Sequence, residues 1–195
     1  MALWLVNLNS SQQWNKMRSE RVISIGFDEM PDLSPIRKID ELEAFYITTY
    51  INLREGRFLK KMNVDMIWCF LKEMKRNDLV VVLPLKHEKV YQVGIVKGDY
   101  EYKKNHRMKH TRKIEWQNEI QETEIDRNLL NLFNSNRREM LIQIKDYSAE
   151  KRIKEILNQK KTSKWEKVPN QVKIQGQKEK LEKMLELLSK IQKGR

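Results

Sequence analysis

The stretch IWCFLKEMKRNDLVVVLPLK (67–86) passes from a helical pattern to a strand pattern, and its reading decides the fold. Up to Met74, apolar residues recur every four positions (Phe58, Met62, Met66, Phe70, Met74), the spacing of one helical face. From Asp78 the chain turns dense in valine and leucine, DLVVVLPLK, which predicts a strand. A second such run, VYQVGIVKGDYEY (90–102), follows after KHEK, so the two form a hairpin, with Thr111 to Trp116 as a further antiparallel strand.

Upstream, LWLVN (3–7) predicts a short strand, followed by a helix through Trp14 and Met17 that Asn9 or Ser10 can cap. VISIGF (22–27) predicts a strand that ends at Gly26, before the prolines of DEMPDLSP. Asp40 can cap a helix whose Leu42, Phe45, Tyr46 and Thr49 fall at helical spacing. Downstream, Ile125, Leu129, Leu132 and Phe133 suit a short helix, MLIQI (140–144) a strand, and Tyr147, Ile153, Ile156 and Leu157 a closing helix. The sum is an α+β domain of about six or seven strands with helices inserted early, most simply a small curved sheet or partly open barrel flanked by helices. It is expected to span residues 1–158. A basic linker (159–176) and an amphipathic C-terminal helix (177–195), with Leu181, Met184, Leu185 and Leu188 on one face, should follow.

Of the net charge of +12, residues 1–150 contribute only +3 (25 Lys and Arg against 22 Asp and Glu), and residues 151–195 contribute +9 (14 against 5). Such asymmetry is the footprint of a polyanionic partner, because each phosphate neutralised releases counterions. A solvated basic tail is the plain alternative. No apolar run reaches the roughly 18 residues of a membrane span, and MALWLVNLNSSQQW has no charged leader before a long apolar region. No membrane association and a cytoplasmic location are therefore expected.

Catalytic and metal chemistry find little support. Cys69, the single cysteine, sits among Trp68, Phe70 and Leu71, which suggests a buried thiol and excludes an internal disulfide. His106 and His110 are four apart, but their flanks are β-forming and basic, and only His87 remains as a third histidine. The six glycines form no phosphate-cradling motif, and Asp78 and Asp99 have no spacing that builds a nuclease centre. No catalytic residue, metal or cofactor is assigned.

What remains is aromatic and basic. Trp4, Phe27, Trp68, Tyr91, Tyr100, Tyr102 and Trp116 lie on or beside the expected strands and central helix, with Trp4 and Trp116 in apolar runs that favour the core. Lys86, Lys97, Lys103, Lys104, Arg107, Lys109 and Arg112 are interspersed among them, as candidate phosphate contacts. Stacking on aromatic faces combined with phosphate contact is how bases are held.

The order LWLV (3–6), VISIGFDEMPDLS (22–34), IWCFLKEMKRNDLVVVLPLK (67–86), VGIVKGDYEY (93–102) and HTRKIEW (110–116) resembles the EVE-like N-terminal domain of prokaryotic modification-dependent restriction proteins of the Mrr and McrB kind. That family belongs to the PUA superfamily, with the EVE, ASCH and YTH domains. The resemblance covers about residues 1–146 and implies a small curved β-barrel of about six strands. It also implies a reader that holds a flipped, often methylated base in an aromatic pocket, while a separate nuclease or nucleoside-triphosphatase domain or subunit acts on the DNA. By position it places the pocket at Gly26, Phe27, Asp28 and Trp68, with Asp28 accepting a hydrogen bond from an exocyclic amine. The family often has Trp where Phe27 stands. DNA is the expected partner ahead of RNA; an RNA reader of the YTH or PUA kind and the specificity part of an endonuclease are the alternatives.

Overall fold

The computed structural model describes residues 1–8, 10–50, 57–85 and 88–166. Met1–Leu157 form one compact unit, and Asn158–Arg195 form a second. In the first unit a strongly curled, six-stranded half-barrel sheet carries the helices, so the molecule is α+β. Its strands are β1 (Leu3–Val6), β2 (Val22–Ser24), β3 (Leu79–Val82), β4 (Val90–Tyr102), β5 (His110–Gln121) and β6 (Leu141–Ile144), in the order β2-β5-β4-β3-β1-β6. β1 and β3 run parallel, with Leu3 opposite Leu79 and Val6 opposite Val82; the other neighbouring pairs are antiparallel.

The runs LWLV and LVVV are apolar at every position because both faces of the sheet are covered there. Trp4, Val6, Val80 and Val82 point into one core with α2 (Ile39–Thr49) and α3 (Arg57–Trp68). Leu3, Leu5, Leu79 and Val81 point into another with α4 (Arg127–Ser135) and α5 (Tyr147–Glu166). Asp78, itself buried, ties this centre together. Its carboxylate accepts from the Ala2 amide (2.8 Å), the Trp4 indole N–H (2.9 Å) and the Lys75 amide (2.9 Å).

α1 (Ser11–Glu20) is capped by Ser10, whose hydroxyl accepts the Gln13 amide at 3.2 Å. The long β4–β5 hairpin shifts register between Gln92 and Gly94 and again between Val96 and Tyr100, irregularities that bend a sheet. Gly94 is obligatory in this bend, since a Cβ there would overlap the Ile114 and Trp116 side chains.

Three expectations need correction. The helix predicted through Met74 stops at Trp68 and widens into a π turn, Cys69–Glu73, closed by the Met74 amide on the Cys69 carbonyl at 2.9 Å. The strand expected over 22–27 ends at Ser24, because Gly26 (φ 73°) and Phe27 (φ 57°) adopt left-handed conformations that no strand accommodates. The linker expected from 159 is helical through Glu166, as the continuation of α5. The helix expected over 177–195 lies outside the described residues. No helix among the described residues is long and apolar enough to cross a membrane.

Candidate functional site

The left-handed pair Gly26–Phe27 places a tight turn after β2, closed by the Met30 amide on the Phe27 carbonyl at 2.9 Å. Lys109 clamps it from the hairpin. Its amide donates to Asp28 Oδ1 and its ammonium to the Asp28 carbonyl, both at 2.7 Å. Beneath it His110 is fully buried, with Nδ1 2.7 Å from the Tyr100 hydroxyl, which also accepts the Leu33 amide at 3.2 Å. Burial lowers the His110 pKa, against opposing attraction from Asp28.

This turn separates two cavities. Phe27 lines one of about 350 Å³, together with Met62 and Met66 of α3 and Leu83 and Pro84 just beyond β3. Asn7, Asn63, Arg137, Arg138 and Glu139 supply its polar lining. The cavity opens where the parallel strands β1 and β3 end, so Asn7 and Leu83 reach it directly from strand termini. Tyr46 and Tyr50 lie behind Phe27 with ring centroids 6.0 and 6.1 Å away. The Asn7 amide nitrogen is held by the carbonyls of Asn136 (3.2 Å) and Glu139, and the Asn63 nitrogen by the Tyr46 hydroxyl (2.8 Å). Arg137 donates to the Pro84 carbonyl at 3.0 Å, which fixes this rim of the cavity. The arrangement offers an apolar wall, fixed amide groups and two guanidinium groups.

Gly26 and Asp28 line the other cavity, of about 220 Å³, with Ser10, Gln13 and Lys16 of the α1 segment and Arg107 of the hairpin connection. The four residues expected to share one pocket are thus divided. Trp68 lines neither cavity; it is half-buried against the core at the end of α3. Asp28 spends one carboxylate oxygen on Lys109, so it positions the turn instead of facing Phe27's cavity.

A family model described as a domain of unknown function (DUF8426) matches residues 4–145. The chain belongs to the DUF8426 family. The match runs from within β1 to the residue after β6, so the DUF8426 domain holds the sheet except Leu3, and the residues of both cavities. No curated protein matches the chain.

The basic residues of the DUF8426 domain divide as well. Lys97 and Lys103 line a broad groove of about 830 Å³ beside β5, with Arg18, Arg21, Lys113 and Trp116. Lys97 there pairs with Glu115 at 2.8 Å. Lys104 is exposed, and Lys86 lies outside the described residues. Arg112 is a correction: it is 3% exposed and faces neither solvent nor a ligand. It donates to the carbonyls of Phe70 (2.7 Å), Leu71 (3.1 Å) and Gly98 (3.3 Å), and its guanidinium lies over the Phe70 ring. The π turn frees the Phe70 and Leu71 carbonyls from the ordinary helical ladder, and Arg112 satisfies them. Burial lowers its pKa to about 10, which leaves it charged at neutral pH.

Cys69 is half-buried, and burial followed by the adjacent Glu73 pushes its thiol up to about 12, unsuited to a nucleophile. His106 is turned to Glu20 (3.2 Å) while His110 is held by Tyr100, so the two do not form the metal pair their spacing allows. Among the described residues no three His, Cys, Asp or Glu side chains converge. Sequence reasoning missed Asn7, Asn63, Arg137 and Arg138. The adjacent arginines between α4 and β6 were the available signal; nothing local distinguishes the two asparagines.

Proposed function

We propose that this domain is a nucleic-acid recognition module of the PUA superfamily that takes a flipped, methylated DNA base into the Phe27 cavity. The observation that carries the reading is that cavity: its size lies within the range of ligand pockets, and its apolar wall includes one aromatic ring and the three thioethers of Met62, Met66 and Met140. Extruding a base costs a few kcal/mol. Stacking on an aromatic face returns about 1–3 kcal/mol, and burying one methyl adds about 0.8 kcal/mol without requiring a polar partner. Asn7, anchored through its amide nitrogen, can present Oδ1 to an exocyclic amine, the role first assigned to Asp28. Arg137 and Arg138 at the cavity suit the phosphates flanking the extruded nucleotide. In this reading the domain supplies targeting for a restriction or related defence system, and cutting or translocation falls to a separate nuclease or nucleoside-triphosphatase domain or subunit.

Fluorescence anisotropy with duplexes that carry methylated cytosine, methylated adenine or no modification tests the proposal. One modified duplex should bind tightest, and Phe27→Ala should abolish that preference while leaving residual binding. Equal affinity for all three, or no binding below about 100 μM at low salt, where non-specific binders are detected, sinks it. An RNA of the same sequence that outcompetes the DNA through its 2′-hydroxyls transfers the reading to the YTH kind of RNA reader.

A further inference from the structure

The cavity of Gly26 and Asp28 and the groove beside β5 draw on the same two segments. α1 contributes Lys16 to the first and Arg18, Glu20 and Arg21, the residue that caps it, to the second; the connection 103–109 contributes Arg107 to the first and Lys103 to the second. Their lining contains seven cations, Lys16, Arg18, Arg21, Lys97, Lys103, Arg107 and Lys113, against the three carboxylates of Asp28, Glu20 and Glu115.

Each of those carboxylates is engaged. Asp28 holds the Lys109 amide at 2.7 Å, Glu20 faces His106 at 3.2 Å and Glu115 holds Lys97 at 2.8 Å. Arg18 in turn faces Glu119 at 3.6 Å, and Lys103 faces Glu101 at 4.0 Å. Lys16, Arg21, Arg107 and Lys113 have no side-chain hydrogen bond or ion pair among the described residues. Arg21 and Lys113 are neighbours across the sheet edge, where Val22 pairs with Lys113 and the Ile114 amide donates to the Arg21 carbonyl at 2.8 Å. The dipole of α1 rationalises Arg21 at its C-terminal end. It does not rationalise Lys16, Arg107 or Lys113.

We infer that the cavity and the groove form one track for the phosphodiester backbone of duplex DNA, on the other side of the Gly26–Asp28 turn from the Phe27 cavity. This rests on the DNA-reading proposal and extends it, because it assigns backbone contact to Lys16, Arg21 and Lys113 in addition to Arg107. The four cations supply charge without base edges to read, so the track sets affinity and salt dependence and leaves base preference to Phe27.

The test is the dependence of duplex binding on salt for the full chain in which Lys16→Gln, Arg21→Gln, Arg107→Gln and Lys113→Gln are combined. The slope of log K against log salt should fall by about 3–4, since each phosphate contact contributes roughly 0.9. The ratio of affinities for modified and unmodified duplex should stay as in the wild type. Arg76→Gln with Lys89→Gln, where both cations already have carboxylate partners, should leave the slope unchanged. If the combined variant does not fold, each single variant should still lower the slope by about 0.9. A slope equal to wild type in the folded variants overturns the track while the base-reading proposal stands. Binding without base preference, but with the expected loss of slope, overturns base reading and supports the track. Absence of duplex binding by the wild type overturns both.

Discussion

Two consecutive segments of the hairpin, the connection Lys103–Lys109 and the first half of β5 from His110 to Trp116, each carry a histidine and basic residues, yet those residues meet different fates. In the connection, Lys104 and Arg107 are exposed, and Arg107 has no partner among the described residues. Two positions into β5, Arg112 is sealed under the π turn with three carbonyl partners, and His110 is sealed under the turn that carries Phe27. The face of the strand that meets packed elements converts His110 and Arg112 into internal scaffolding, while Lys113 on the same strand and Lys104 and Arg107 of the connection are left to solvent and to partners. Charge alone does not separate the two uses; position relative to the sheet does.

That contrast can be broken most severely at Arg112. Arg112→Met conserves much of the side-chain bulk and leaves buried carbonyls unsatisfied, so urea denaturation should show a loss of about 3–5 kcal/mol. Loss below about 1 kcal/mol would mean that the π turn does not depend on Arg112. A smaller effect is expected from pH. Because burial depresses the His110 pKa, the unfolded chain binds the proton more readily than the folded one. Stability from this group is therefore full above the unfolded value of about 6.5 and is lost as pH falls below it. Urea midpoints at pH 7.5 and 5.5 should show that decline, and His110→Asn should flatten it; a decline unaltered by the substitution assigns it to other groups. The smallest change in stability is expected in the connection, where Arg107→Gln should shift unfolding by less than about 0.5 kcal/mol. The same substitution should lower the salt slope of DNA binding, the inverse of the Arg112 result.

The elements were legible where the chemistry is local. LWLV and LVVV predict strands because an unbroken apolar run requires cover on both faces, and Ser10 announces the start of α1. The parallel pairing of β1 with β3 was not legible, because the choice of partner is made by long-range hydrogen bonds and not by either run. At the turn, Gly26 signals a left-handed residue, but Phe27 in the same conformation does not, since a phenylalanine ordinarily avoids it. Hence the pocket expected from consecutive residues divides into two cavities. Arg112 misled for a related reason: sequence shows that a guanidinium is present, and only the π turn shows which acceptors await it.

The Asp78 latch also bears on the order in which the chain can assemble. Trp4 is 74 positions from the carboxylate that receives its indole N–H, and β1 finds its place beside β3 in the sheet only once β3 exists. During synthesis at about 5–20 residues per second, the N-terminal strand therefore waits roughly 4–15 s for its partner. Throughout that interval LWLV is an unpaired apolar segment, the species most exposed to mispairing and to chaperones. Closing so long a loop delays folding more than it weakens the final structure. One buried aspartate thus ties the first strand to a partner made 74 positions later.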